Sequence, residues 1–291
     1  MQKEAFLYDN VEENKVKCRL CPHGCLIKPD QFGICGVRQN KEGSLYTYAY
    51  ANPLGVNIDP IEKKPLYHFL PGTTSFSIGT AGCNFKCSFC QNWRISQVTD
   101  TLKQYFDSDE WPPQKVADQA EAQGCKSVAY TYTEPTIFFE YAYDTSVKAQ
   151  EKGLKNIFVT NGFITTEAVD MIRPYLDAAN VDLKSFRDDF YKKVCKGRLQ
   201  PVLDSIRHMY TIGIWVEITT LIIPGQNDSE KEIDEIAQFI ADTGKEIPWH
   251  ISRFFPQYKY TDAEATPLET LHFAERTGSK KGLEHIHLGN V

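Results

Sequence analysis

Seven of the nine cysteines in this 291-residue chain fall into two short groups, and the second group most constrains what the fold must build. Cys83, Cys87 and Cys90 follow at Cys-x3-Cys-x2-Cys spacing, directly after the strand-like run Ser75-Phe76-Ser77-Ile78-Gly79-Thr80. Three thiolates on one loop can converge on one face of a metal cluster. A cubane iron–sulfur cluster normally takes four, so three leave one iron open to a further ligand, as catalytic metal sites keep a position free. On spacing alone, a zinc loop that borrows a fourth ligand is the plainer alternative. The first group, Cys18, Cys21, Cys25 and Cys35, has Cys-x2-Cys-x3-Cys-x9-Cys spacing and suits a closed tetrahedral site, for zinc or for a second iron–sulfur cluster. His23 could replace one of these ligands. Cys125 and Cys195 stand alone and read as small buried hydrophobes. An odd total and tight clustering speak against a disulfide framework.

The composition is that of an ordinary globular chain, 42% hydrophobic and 24% charged. With 32 Lys+Arg against 38 Asp+Glu the formal charge is −6, unsuited to general nucleic-acid binding. The first residues lack a basic stretch followed by an apolar run, and no segment reaches the roughly 18 consecutive apolar residues of a membrane span. A cytoplasmic protein is expected.

Two segments are expected: a Cys-rich metal-binding or cover segment over residues 1–72, and a core over 73–291. The first contains a strand-like run at 45–50 and a turn-rich stretch with Pro53, Gly55, Pro60 and Pro65. From Thr73 onward short β-branched and aromatic runs alternate with helical patterns. Strands are predicted at 74–80, 126–132, 156–160, 178–183, 215–222 and 248–254. Helices are predicted near 112–123, 136–151, 165–174, 201–212, 229–243 and 266–280. This alternation indicates parallel βαβ units, arranged as part of an eight-unit barrel or as an open doubly wound sheet. Either arrangement puts active residues beyond the C-terminal strand ends.

The Cys-x3-Cys-x-aromatic-Cys loop after the first strand resembles the signature of radical S-adenosylmethionine (SAM) enzymes. That resemblance implies an α/β fold, a partial (β/α)6 barrel with an N-terminal Cys-rich extension. It makes Cys83, Cys87 and Cys90 the ligands of a [4Fe-4S] cluster whose open iron holds SAM, with Phe89 in the aromatic slot. Reductive cleavage of SAM would then give a 5′-deoxyadenosyl radical that abstracts hydrogen. The second strand ends Tyr132-Thr133-Glu134-Pro135, where the family usually has Gly-Gly-Glu-Pro. Glu134 would keep the carboxylate role toward the SAM amino group, and Thr133 stands at a glycine position. Thr160 and Asn161 end the third strand, and Asp182 and Lys184 the fourth. These resemble the pyruvate formate-lyase activating-enzyme branch, in which the lysine contacts the SAM carboxylate and Thr160 and Asp182 match positions near a monovalent cation. Val159 stands where that branch can have an acidic cation ligand. Glu217 and Thr219 alternate on the fifth strand and point inward; the family uses this strand to line the SAM ribose and adenine. His250, on the sixth strand, is a candidate contact to SAM or substrate. His68 is expected near the barrel, in a packing role or at its mouth, and Lys63-Lys64 reads as a solvated pair.

Across nearly the whole chain the pattern resembles the AmmeMemoRadiSam-system radical SAM enzymes. It is carried by Cys-x-Leu-Cys-Pro-His-x-Cys, by Pro60 to Phe69, by Cys90-Gln-Asn-Trp, by Tyr-Thr-Glu-Pro, by Asp-Leu-Lys and by His-Ile-Ser-Arg-Phe-Phe-Pro. Members usually continue past Gly289-Asn290-Val291 into a further Cys-bearing segment, and this chain stops at Val291. The leading implication is a protein or peptide glycyl-radical activase. Next to it stands modification of a small molecule or protein residue together with Memo-like or AMMECR1-like partners. A non-catalytic Fe–S or zinc scaffold is the third. The first implies an open barrel mouth and the second a mouth covered by the first 70 residues. An electron donor such as flavodoxin or ferredoxin is implied for any catalytic form.

Overall fold

The computed structural model describes residues 1–98 and 110–291. Six short strands open the chain: β1 (Lys3–Glu4), β2 (Tyr8–Val11), β3 (Lys15–Cys18), β4 (Leu26–Ile27), β5 (Arg38–Lys41) and β6 (Ser44–Thr47). They form two three-stranded antiparallel sheets, β2-β3-β4 and β1-β6-β5.

An eight-stranded sheet follows: β7 (Gly55–Pro60), β8 (Thr74–Gly79), β9 (Ser127–Tyr130), β10 (Lys155–Thr160), β11 (Ala178–Asp182), β12 (Trp215–Ile222), β13 (Trp249–Arg253) and β14 (Ile286–Gly289). The strands neighbour one another in chain order, β8 to β14 all parallel. The partial α/β barrel expected from the sequence is therefore present, extended at both edges. β14 adds a seventh parallel strand. β7 pairs antiparallel with β8, where a turn-rich stretch was expected. Its Pro60 is tolerated because an edge strand needs no N–H on its outer side.

Among the described residues, six crossover helices of seven or more residues pack on the sheet: α1 (Pro113–Ala122), α2 (Phe139–Glu151), α3 (Thr166–Ile172), α4 (Gln200–Thr211), α5 (Glu230–Thr243) and α6 (Leu268–Lys281). Each buries one stripe, as in α4 with Val202, Leu203, Ile206 and Met209. Side-chain caps fix two starts. Thr165 accepts from Ala168 N–H and Ser229 from Glu232 N–H, both at 3.3 Å. Among the described residues no helix is long and apolar enough to cross a membrane.

Residues 61–69 fill the barrel interior. Ile61, Leu66 and Phe69 pack against Ala129, Ile157 and Ala178 of the central strands, and Asn180 Nδ2 donates to Pro65 O at 2.8 Å. The N-terminal sheets are held from the side, against the start of α2 and the loop after β10. Thr165 N–H donates to Leu20 O at 3.2 Å. Arg38 and Glu140 form an ion pair across this junction, 2% and 0% exposed, and Glu140 also accepts from Phe6 N–H at 2.9 Å. Glu140→Ala strands the Arg38 charge in the interior and is expected to destabilise the fold by about 3–5 kcal/mol, read as a lower denaturation midpoint. A loss below about 1 kcal/mol, the level of an exposed pair, would contradict this role.

Candidate functional site

The three cysteines of the central loop line one cavity of about 420 Å³ beyond the C-terminal ends of the parallel strands. Gly82 lets the loop pass under the N-terminal sheets. It has φ +102°, and a Cβ there would meet Val37 Cγ1 at 2.8 Å and Cys35 O at 3.0 Å. The sulfurs have close polar neighbours. Phe85 N–H donates to Cys83 Sγ at 3.3 Å, and Cys90 Sγ lies 3.2 Å from Ser96 Oγ. Contact with the buried Cys195 thiol, then burial, pushes the Cys87 thiol well above its usual range. Burial raises Cys83 and Cys90 in the same direction. Phe89 lines the cavity, with its ring 5.9 Å below the Lys184 ammonium.

The second strand ends earlier than expected because Tyr132 takes φ +66°, the left-handed conformation a glycine would adopt without strain. Its surroundings hold it there. Tyr132 OH donates to Asp59 Oδ2 at 2.8 Å, and Asn92 Nδ2 donates to Tyr132 O at 2.6 Å. Gly79 leaves room for the turn, since a Cβ there would meet Thr131 O at 2.4 Å. Thr131, Tyr132 and Thr133 thus line the cavity even though the usual glycines are missing.

Glu134 lies behind this wall and is fully buried. Its carboxylate accepts from Thr136 N–H (3.0 Å), Thr136 Oγ1 (2.6 Å), Thr160 Oγ1 (2.7 Å) and Asn161 N–H (2.8 Å). Burial raises its pKa against these lowering bonds. Glu134 is not among the cavity-lining residues; it ties the ends of β9 and β10 together. Thr160 and Asn161 do line the cavity. Asn161 Nδ2 donates to Asn84 Oδ1 at 2.8 Å and so holds the cysteine loop to β10.

Asp182, Lys184 and Thr219 also line the cavity. Lys184 Nζ lies 2.7 Å from Asp182 Oδ2. Burial pulls the ammonium down, but Asp182, Cys87 and Cys195 outweigh it and the net direction is upward. Several lining residues were missed in the sequence, among them Ser252, Asn290 and Lys64. Ser252 lies on β13 and Asn290 just past the end of β14, and Asn290 Nδ2 donates to Ser252 Oγ at 3.0 Å. Lys64 corrects the solvated-pair reading: Lys63 is 70% exposed, whereas Lys64 is 3% exposed and sits 2.6 Å from Asp59. Nothing in its local sequence marked it, because its partner depends on β7 pairing with β8.

Glu217 and His250 lie in a separate cluster, outside the cavity lining. Glu217 accepts from the backbone N–H of Tyr67 (3.0 Å) and His68 (2.9 Å), from Trp215 Nε1 (3.1 Å) and from His250 Nε2 (2.6 Å). His68 Nε2 lies 2.9 Å from His287 Nε2, and the His68 and His285 rings are 4.1 Å apart. Four of the seven histidines thus pin the 61–69 plug to the sheet. Cys18, Cys21, Cys25 and Cys35 line a second, small cavity in the N-terminal sheets.

The radical SAM superfamily profile matches residues 77–240. An uncharacterized protein of Methanocaldococcus jannaschii is 44% identical over 99% of this chain and 85% of its own length. A second protein of that organism, provisionally named a glycyl-radical enzyme activating enzyme, is 25% identical over 64% of this chain and 69% of its own. Streptococcus suis SuiB bound to precursor peptide SuiA superposes with a TM-score of 0.56 at 15% identity, over 79% of this chain and 51% of that one, a likeness of fold. The chain belongs to the radical SAM superfamily, and its cofactors are a [4Fe-4S] cluster and SAM. The donor set fits both: three convergent thiols with N–H and O–H neighbours, beside a cavity walled by backbone, amide, carboxylate and ammonium groups.

The histidine plug makes stability depend on pH. Burial, then neighbouring histidines, lowers the pKa of His68 and His287 below the ordinary 6.5, so the unfolded chain binds these protons more tightly. Their stabilising contribution is complete above about 6.5 and is lost as the pH falls below it. Glu217 is held below its ordinary 4.5 because its bonds outweigh burial, so its contribution is lost only at lower pH. The melting temperature is expected to fall between pH 7 and 5, and a His68→Gln/His287→Gln variant to show a shallower slope, the remainder coming from His23, which burial also lowers. The same slope in both proteins would refute the assignment.

Proposed function

We propose that this chain is an activating-enzyme-like radical SAM enzyme that abstracts hydrogen from a protein or peptide substrate. The observation that carries the reading is the convergence of Cys83, Cys87, Cys90, Asn161, Asp182 and Lys184 on one cavity. When bound, the cluster and SAM supply one-electron cleavage of SAM and the hydrogen abstraction that follows. Cys83, Cys87 and Cys90 would hold the cluster. Lys184 is aimed into the cavity as a fixed positive charge for a carboxylate, and Asp182 keeps it charged and oriented. Asn161 and residues Thr131–Thr133 offer further polar groups along the lining. Glu134 acts as a positioning residue, because all four of its bonds go to the strand ends. Glu217 and His250 brace the plug beneath.

The substrate class rests on how the mouth is built. Among the described residues, those from the first 70 that line the cavity are Lys63, Lys64 and Pro65. The rim residues Gln91, Asn92 and Asn290 line the cavity and are exposed to solvent. An N-terminal module whose six strands, among the described residues, add nothing to the cavity lining favours an extended polypeptide over a small molecule enclosed by that module. The likeness to the protein provisionally named an activating enzyme supports the same choice.

Anaerobic reconstitution followed by dithionite and SAM is expected to yield 5′-deoxyadenosine from the wild type and none from Cys87→Ala. Lys184→Met should raise the SAM concentration for half-maximal turnover about tenfold, the loss of one charge-assisted contact of about 1.4 kcal/mol. Electron paramagnetic resonance on added glycyl-radical-type polypeptide should show a radical on that chain. Iron-loaded protein that makes no 5′-deoxyadenosine would overturn the catalytic reading. Turnover that leaves every such polypeptide unmodified while consuming a small molecule would overturn the substrate class.

A further inference from the structure

We propose that Cys18, Cys21, Cys25 and Cys35 form a closed four-thiolate zinc site that braces the catalytic loops from behind. The site is independent of the radical SAM reading.

Two turns present the four sulfurs. In the first, Cys18 ends β3 and Cys25 precedes β4, joined by Cys18 N–H to Cys25 O at 3.0 Å. Between them, Gly24 N–H donates to Cys21 O at 3.0 Å, with Gly24 at φ +54°. In the second, Gly36 N–H donates to Gly33 O at 2.9 Å, with Gly36 at φ +81°, which turns the chain around Cys35. All four cysteines line one cavity of about 20 Å³, with Leu20, Ile27, Ile34 and Ile137 among its apolar walls. That volume is about one water-sized sphere. As the sulfurs stand, the space between them is room for a single ion rather than an eight-atom cubane, and on that ground zinc is the metal proposed.

A second, independent observation points to a ligand. Arg38 is 2% exposed and lines the same cavity. Its terminal nitrogens serve Glu140 and Ile137 O, but its buried Nε has no acceptor among the described residues. A metal-bound thiolate is the acceptor it lacks, an outer contact of the kind that orients ligands at structural metal sites. His23 is engaged elsewhere: its Nε2 donates to Asn84 O at 2.8 Å. Among the described residues no three donors stand at the spacing that grips one ion, so zinc would draw the two turns together. The ion enters as aqueous Zn²⁺, four thiol protons leave to solvent, and no electron is transferred.

The location gives the site its role. Thr136 borders the small cavity on one side and bonds Glu134 on the other. His23 joins the first turn to the backbone beside Cys83. Closing the site would fix both the Glu134 junction and the cysteine loop.

The test uses the full chain carrying Cys83→Ala, Cys87→Ala and Cys90→Ala together, produced with iron and zinc both present. About one zinc and no iron per chain is expected, with zinc-edge X-ray absorption showing four sulfur neighbours at about 2.3 Å. Adding Cys21→Ser should reduce zinc to background. About four irons per chain with cluster absorbance would overturn zinc in favour of a second cluster. Absence of both metals would leave buried thiols and overturn the site. Because Cys21→Ser could unfold the module, the folded wild type supplies a second readout: a thiol-modifying mercurial should release about one zinc per chain and lower the melting temperature. No release from that protein would also overturn the proposal.

Discussion

The buried carboxylate of Glu134 is the constraint on which the rest of the site depends. A carboxylate taken fully out of water costs several kcal/mol unless its lone pairs are met. Four donors meet them here, each worth about 1.5–3 kcal/mol as a bond to a charged group. Those donors come from the turn into α2 and from the end of β10. Satisfying one charge therefore fixes where the second strand stops, where Asn161 starts and how the turn into α2 meets the N-terminal sheets. Asn161 then holds Asn84, and with it the loop of Cys83.

A comparable constraint acts from below. Tyr132 occupies backbone space that suits glycine, at a strain of order 1–3 kcal/mol. Its hydroxyl and ring are held by Asp59 and by the Lys64 ammonium, 4.9 Å from the ring centroid. Both partners arrive because β7 pairs with β8 and the chain then turns under the barrel. The plug thus fills the interior with Ile61, Leu66 and Phe69, and it also supports the strained turn that forms one wall of the cavity.

The parallel core was legible because its signals are local: short β-branched runs alternating with helical periodicity. The three clustered thiols and the strand-end residues Thr160, Asn161, Asp182 and Lys184 were legible for a related reason. Strand ends in such a fold face one opening, so spacing along the chain maps onto proximity in space. What stayed hidden depends on pairing between distant segments. β7 looked like a turn because Gly55 and Pro60 bound it, and Lys64 looked solvated because Asp59 is a partner only once β7 forms. Glu217 and His250 alternate correctly on their strands, but inward on a barrel strand can mean toward the cavity or toward the plug. The plug's path over 61–69 decides which.

Two of the lysines that line the cavity are each paired with a carboxylate. Lys184 lies beside Asp182, and Lys64 beside Asp59, at 2.7 and 2.6 Å. A wall of unpaired lysines would favour any polyanion, and one of unpaired carboxylates any cation. A wall offering both signs within a few ångströms favours a ligand that itself carries an ammonium and a carboxylate close together, as the methionine end of SAM does. Each pair also neutralises itself when no ligand is bound, so burying Lys64 and Lys184 beside three thiols does not leave an isolated charge. The local pairing that offsets the cost of burying these lysines thus also places both signs of charge within reach of one ligand.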